Sequence, residues 1–144
     1  MKQAPQTTYR AATKDDINFV LSSWLQSFRE DLDWDLPGFK VFYWLEPLIK
    51  LVLNRSQVLL ATDPEDSTHL IGYVVYTKLP DQLVVHYIYT KAAFRRLGTA
   101  RNLLKLLNPD QHSVLTTFTT KDARQLKNRY PHQHSKQLLE TILL

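Results

Sequence analysis

Two periodicities alternate along the chain. Ile17, Val20, Leu21, Trp24, Leu25 and Phe28 recur at i, i+3, i+4 spacing, which predicts one buried helix face. Thr13 supplies an N-cap, and Asp15 and Asp16 an acidic first turn. A loop over 29–37 ends this helix. Residues 38–54 carry Phe39, Phe42, Tyr43, Leu45, Leu48, Ile49, Val52 and Leu53 around Pro47, a helix that kinks or restarts near the proline. Apolar runs at 8–12, 57–62, 69–79, 83–90 and 113–120 read as strands, divided by turn formers such as Asp63-Pro64-Glu65-Asp66-Ser67 and Pro80-Asp81. Gly72, inside the third run, marks a bulge or a close backbone approach. Helical spacing returns at 98–107, stopped by Asn108-Pro109-Asp110, and at 121–130, with Ala123, Leu126 and Tyr130 on one side. The apolar stretch 138–144 fits strand or helix. The predicted order is strand, helix, helix, three strands, helix, strand, helix.

Charge divides this pattern in two. Residues 1–90 hold eight Lys and Arg against eleven Asp and Glu, whereas 91–144 hold ten against three, so the net +4 conceals an acidic and a basic half. The basic half suits phosphate groups or nucleic acid. No docking motif and no interleaved stacking aromatics accompany it, which disfavours nucleic acid. At 144 residues, 44% of them hydrophobic, the chain suffices for one globular domain over 1–144. It has no Cys, hence no disulfide, thiolate metal site or thiol nucleophile. No apolar run reaches the roughly 18 residues of a membrane span, and residues 1–6 lack a signal-peptide pattern, so a soluble cytoplasmic protein with no membrane partner is expected. His132-Gln133-His134 makes a poor metal site without supporting acids, and no metal is expected.

The candidate chemistry starts where the basic half does. The strand-like run at 83–90 leads through Phe94-Arg95-Arg96-Leu97-Gly98-Thr99-Ala100 into the helix-like run that follows. A strand passing through a basic, Gly-containing turn into a helix aims unpaired backbone N–H groups and the positive helix end at one point, which suits a phosphate or pyrophosphate. The spacing Arg95-x-x-Gly98-x-Ala100 resembles the Q/R-x-x-G-x-G/A motif of the GNAT superfamily of N-acetyltransferases, and the order of elements over roughly 7–130 is similar to theirs. The resemblance implies a mixed α/β fold, with a central, mostly antiparallel sheet flanked by helices in the order β-α-α-β-β-β-α-β-α. Only a short segment follows Tyr130, so one or both of the family's closing strands should be missing or replaced, and a homodimer partner could supply them.

The resemblance also implies acetyl coenzyme A as cosubstrate. Arg95, Arg96, Leu97, Gly98, Thr99, Ala100 and Arg101 would grip its pyrophosphate, and backbone groups of Ile88 and Thr90 its pantetheine arm. An alkylamine acceptor is neutral about one part in 2500 at pH 7, so deprotonation costs roughly 4.6 kcal/mol and a base matters. His86, nine residues before Arg95, falls in a stretch similar to arylalkylamine N-acetyltransferases, which implies His86 as that base; the bland reading is a strand histidine satisfied by a backbone carbonyl or facing solvent. The family's acid is a Tyr in the pattern N-x-x-A-x-x-L-Y. Here Lys127 stands at the Tyr position, and Tyr130, three residues on, is the substitute. Asp31, Asp33, Trp34 and Tyr43 combine carboxylates with aromatic faces where the family places its acceptor wall, which favours a cationic amine, small or on a protein. Attack would occur in a direct ternary complex. The alternative is a GNAT-like binding or assembly module with weakened or lost chemistry.

Overall fold

Strand-period and helix-period segments assemble into one sheet with a helical layer on each face. The computed structural model describes residues 7–31, 38–95, 97–117 and 133–134. Along them run β1 (Thr8–Ala11), α1 (Lys14–Asp31), α2 (Gly38–Asn54), β2 (Gln57–Asp63), β3 (Asp66–Lys78), β4 (Gln82–Thr90), a 3-10 turn (Ala92–Phe94), α3 (Thr99–Leu107), β5 (Ser113–Thr116) and β6 (Gln133–His134). The six strands lie side by side in chain order. Strands β1 to β4 pair antiparallel, while β4–β5 and β5–β6 are parallel. A parallel step needs a crossover, which α3 supplies between β4 and β5. This is the mixed, mostly antiparallel α/β architecture that the resemblance implies.

Alternation along the strands splits the core. Leu60, Tyr73, Val75 and Tyr87 face Val20, Trp24 and Phe28 of α1 and Leu45, Ile49 and Val52 of α2. Their neighbours Ala61, Val74, Leu83 and Val85 face Leu103, Leu104 and Leu107 of α3 on the other side. The helix α1 starts as its sequence demands, with one exchange of roles. The Asp16 N–H donates to the Thr13 carbonyl at 3.0 Å, while the Thr13 N–H and hydroxyl donate to the Asp16 carboxylate at 2.7 and 3.0 Å. Thr13 therefore donates where a capping hydroxyl would accept. Arg10 clamps the same carboxylate at 2.7 and 2.9 Å and reaches the Ser67 carbonyl at 2.9 Å, tying β1, α1 and the start of β3 together.

Several boundaries differ from the sequence reading. The first helix continues through Arg29 and Glu30 to Asp31, so Asp31 ends a helix and not a loop. Helix α2 runs unbroken through Pro47; Leu45, Ile49 and Val52, all buried to within 1%, hold the two halves to one core, which outweighs the missing N–H. Strand β3 begins at Asp66 and not at 69, because Asp63 pairs with Asp66 across a two-residue turn. The Asp66 carboxylate fixes that start by accepting from the Thr68 N–H and hydroxyl. Strand β5 spans Ser113–Thr116, and positions 118–120 of the predicted run lie outside the described residues. A two-residue β6 extends the sheet, pairing with Leu115 and Thr116. The predicted helix at 121–130 and the stretch 138–144 lie outside the described residues.

Candidate active site

The loop between β4 and α3 leaves backbone donors without a partner among the described residues. After the 3-10 turn the chain reaches Gly98 at φ +85°, the left-handed region that favours glycine, and this residue is the N-cap of α3. No side chain caps the helix. The first intrahelical bond ends on the Asn102 N–H, which donates to the Gly98 carbonyl at 2.9 Å. The N–H groups of Thr99, Ala100 and Arg101 consequently have no partner within the helix. The Thr99 side chain is buried, whereas Arg95 and Arg101 are exposed. Arg95 donates through Nε to the Thr90 carbonyl at 3.1 Å, which folds it back against the end of β4. Arg96 lies outside the described residues.

Strand β4 turns a second row of backbone groups away from β3, of which the Thr90 carbonyl accepts from Arg95. The Lys91 N–H donates to the Ile71 carbonyl at 2.8 Å. With the register Gly72↔Thr90 and Val74↔Ile88, this makes 72/90 and 74/88 the non-hydrogen-bonded pairs. The N–H and C=O of Ile88 and Thr90 therefore point away from β3, toward the β5 side. There the β4–β5 pairing ends at Val85↔Thr116, with one further bond from the Thr117 N–H to the Val85 carbonyl at 3.3 Å. Beyond it, no described strand covers that edge of β4. The two rows, one on the strand edge and one at the helix start, lie on either side of Lys91 and the 3-10 turn.

His86 occupies the point where β4 changes register. Val75 pairs with Tyr87 and Tyr76 with Val85, so His86 is the extra residue of a β-bulge. Its side chain is 2% exposed and both ring nitrogens are engaged. Nε2 lies 3.0 Å from the Thr77 hydroxyl and Nδ1 lies 2.8 Å from the Thr117 hydroxyl. Burial pushes its pKa down from 6.5 to about 4, so the imidazole is neutral at physiological pH and one of the two threonines must donate to it. The sequence pointed to His86 but not to its partners. Thr77 was within reach of a hairpin argument, since the turn at 79–82 fixes the β3–β4 register; Thr117 was not, because parallel pairing across a helical crossover leaves no local signal.

The remaining candidates are spread out. Asp31 closes α1 and Tyr43 sits in the second turn of α2. Asp33, Trp34 and Tyr130 lie outside the described residues. Beside the end of β4 a cavity of ≈ 540 Å³, lined by Arg10, Asp15, Phe19, His69 and Lys91 among others, opens on the α1 face; the Lys91 ammonium lies 5.8 Å from the centre of the Phe19 ring. No reading of the sequence anticipated this cavity, whose walls come from four separate segments.

A strand that feeds an uncapped helix through a left-handed glycine is an α/β arrangement of the kind that suits a phosphate group. Residues 19–108 match the Acetyltransferase (GNAT) family, and the chain belongs to that family, which makes it an enzyme of the acetyltransferase class. Solved structures share the fold at low identity. A ribosomal-protein-alanine N-acetyltransferase from Brucella melitensis biovar Abortus 2308 is 18% identical, with 86% of this chain and 90% of that one covered and a TM-score of 0.55. A predicted acetyltransferase from Clostridium acetobutylicum, solved with acetyl-CoA, is 17% identical over 90% and 92% at a TM-score of 0.54. The histone acetyltransferase HPA2 and related acetyltransferase from Corynebacterium glutamicum is 17% identical over 85% and 82% at a TM-score of 0.58. No match was found among proteins of curated function. No described helix is long and apolar enough to cross a membrane.

Proposed function

We propose that the chain transfers the acetyl group of acetyl-CoA to a primary amine by direct attack in a ternary complex. One observation carries the reading: two rows of backbone N–H groups without a partner among the described residues, on the β5-facing edge of β4 and at the start of α3, flank a basic turn. A pyrophosphate is the ligand that such a turn suits, since several N–H groups, the helix dipole and Arg95, Arg96 and Arg101 all favour its charge. The backbone of Ile88 and Thr90 would then bond the pantetheine arm as an added strand would. Coenzyme A supplies an activated thioester whose carbonyl carbon accepts the amine.

His86 is the proposed proton acceptor, Tyr130 the proposed acid, and Asp31, Asp33, Trp34 and Tyr43 the acceptor wall. Carboxylates and aromatic faces recognise a cationic amine, on a small molecule or on a protein. His86 is neutral at physiological pH, and the ring nitrogen that accepts from a threonine hydroxyl is the one that would take the proton.

A thermal-shift titration with acetyl-CoA, with the 3′-dephospho analogue and desulfo-CoA as controls, tests the reading. Ligand at 100 times its Kd adds about 2.7 kcal/mol, which for a chain of this size moves Tm by roughly 5–10 °C. A saturable shift is expected; a flat Tm at millimolar acetyl-CoA would overturn the proposal.

A further inference from the structure

The cavity beside the end of β4 is on the α1 side of the sheet. Phe19, in its lining, packs against the core beneath α1 and α2, whereas α3 packs on the other face. Lys91 follows β4 five residues beyond His86, roughly 16 Å along a strand. At ≈ 540 Å³ the cavity falls in the range of small-molecule sites, about 300–1,000 Å³. Phe19 and Leu70 supply its apolar lining.

The charges around it pair off until two remain. The Arg10 guanidinium and the Asp16 carboxylate hold each other at 2.7 Å. His69 has Nδ1 3.5 Å from the Asp63 carboxylate and its ring edge-on to Phe94. What remains is Asp15, exposed on the first turn of α1, and Lys91, half-buried after β4. Neither has an ion-pair partner among the described residues, and they do not pair with each other. The lysine is nonetheless held in place. Its N–H donates to the Ile71 carbonyl and its carbonyl accepts from the Phe94 N–H, both at 2.8 Å, while its ammonium lies over the Phe19 ring. One cation and one anion thus line the same cavity from two elements, too far apart to bridge.

We propose that this cavity is a second ligand site, which takes a small amino-acid-like zwitterion with its carboxylate on Lys91 and its ammonium on Asp15. A simple anion that meets Lys91 also meets the Asp15 and Asp16 carboxylates, and a simple cation that meets Asp15 also meets Lys91 and Arg10. A ligand with both charges finds the opposite sign at each end, and its methylene stem is covered by Phe19 and Leu70. The Arg10–Asp16 pair neutralises itself and braces the wall that β1, α1 and β3 share. None of the residues assigned to acetyl transfer takes part, so the site and the acetyl-transfer reading stand or fall separately.

The test is a ladder of ω-amino acids, from glycine through 4-aminobutyrate to 6-aminohexanoate, titrated into 15N-labelled protein at neutral pH, with butyrate and butylamine as single-charge controls. The amide signals of Asp15, Phe19, His69 and Lys91 should move saturably with one chain length at a millimolar Kd. Both controls should bind roughly tenfold weaker, for want of one charge-assisted contact. Asp15→Asn should bring the preferred amino acid to the affinity of butyrate without weakening butyrate itself, and Lys91→Gln should bring it to that of butylamine. Lys91→Arg, which keeps the charge, should retain binding. Butyrate bound as tightly as the preferred amino acid would overturn the proposal, as would the absence of any saturable shift across the ladder. Shifts confined to Gly98, Thr99 and Arg101 would place the ligand at the start of α3 and overturn it too. Should Lys91→Gln not fold, Asp15→Asn decides, because unchanged affinity in that exposed variant contradicts the ammonium contact.

Discussion

Gly98 is the residue on which the loop between β4 and α3 turns. A Cβ placed there meets nothing within 4 Å, yet φ is +85°, so the cost of a side chain is torsional and not steric. Gly98→Ala should lose about 1–2 kcal/mol of stability, read by denaturant unfolding. Gly98→Val adds bulk on the open side from which a pyrophosphate would approach, and calorimetric titration should show acetyl-CoA bound roughly tenfold or more weaker, about 1.4 kcal/mol. Equal affinity in a folded valine variant would remove the loop from the binding site. The sequence made Gly98 legible because a single glycine among arginines at a strand-to-helix junction has few other uses. It made His86 legible as a titratable group on a strand, but not as a covered one. Burial and partners follow from register, and the bulge that places Thr77 and Thr117 on its two nitrogens is a one-residue event inside an apolar run that reads as a plain strand.

At the scale of elements, hydrophobic period located both long helices, the crossover helix and the first five strands, because each buries a face against a sheet or helix. What the period missed are ends and irregularities decided by single polar bonds, such as the Asp66 carboxylate that starts β3 early, and by packing that carries α2 through Pro47. Gly72 is the exception, an irregularity visible in sequence. It adjoins the step where Ala61 pairs with Gly72 and Thr62 with Leu70. A Cβ on it would stand 2.5 Å from the Tyr89 carbonyl oxygen and 3.4 Å from the Thr99 side chain. Backbone cannot swing aside as a flexible side chain can, so β3 and β4 would have to part. Gly72→Ala should therefore destabilise by about 1–3 kcal/mol, seen as a lower denaturant midpoint at unchanged slope. It should also weaken acetyl-CoA binding, because the displaced strand carries Ile88 and Thr90. A variant as stable as the parent would mean the strands yield more cheaply than this contact allows.

Two buried titratable groups tie the whole molecule's stability to pH in separate windows. His86 is held neutral by burial, its pKa lowered from 6.5 to about 4. Between those values the unfolded chain binds the proton that the folded chain refuses, so stability is full above pH 6.5 and falls as pH drops toward 4. The shift corresponds to a loss on the order of 3 kcal/mol. Asp16 has its pKa lowered from 3.8 to about 2, chiefly by the Arg10 guanidinium. Its contribution is present above pH 3.8 and disappears as pH falls toward 2. Chemical denaturation at half-unit steps should show a first decline over pH 6.5–4 that His86→Gln abolishes, and a second below pH 4 that Asp16→Asn flattens. If His86→Gln leaves the slope between pH 6.5 and 4 unchanged, water reaches the imidazole in solution and burial does not hold it neutral.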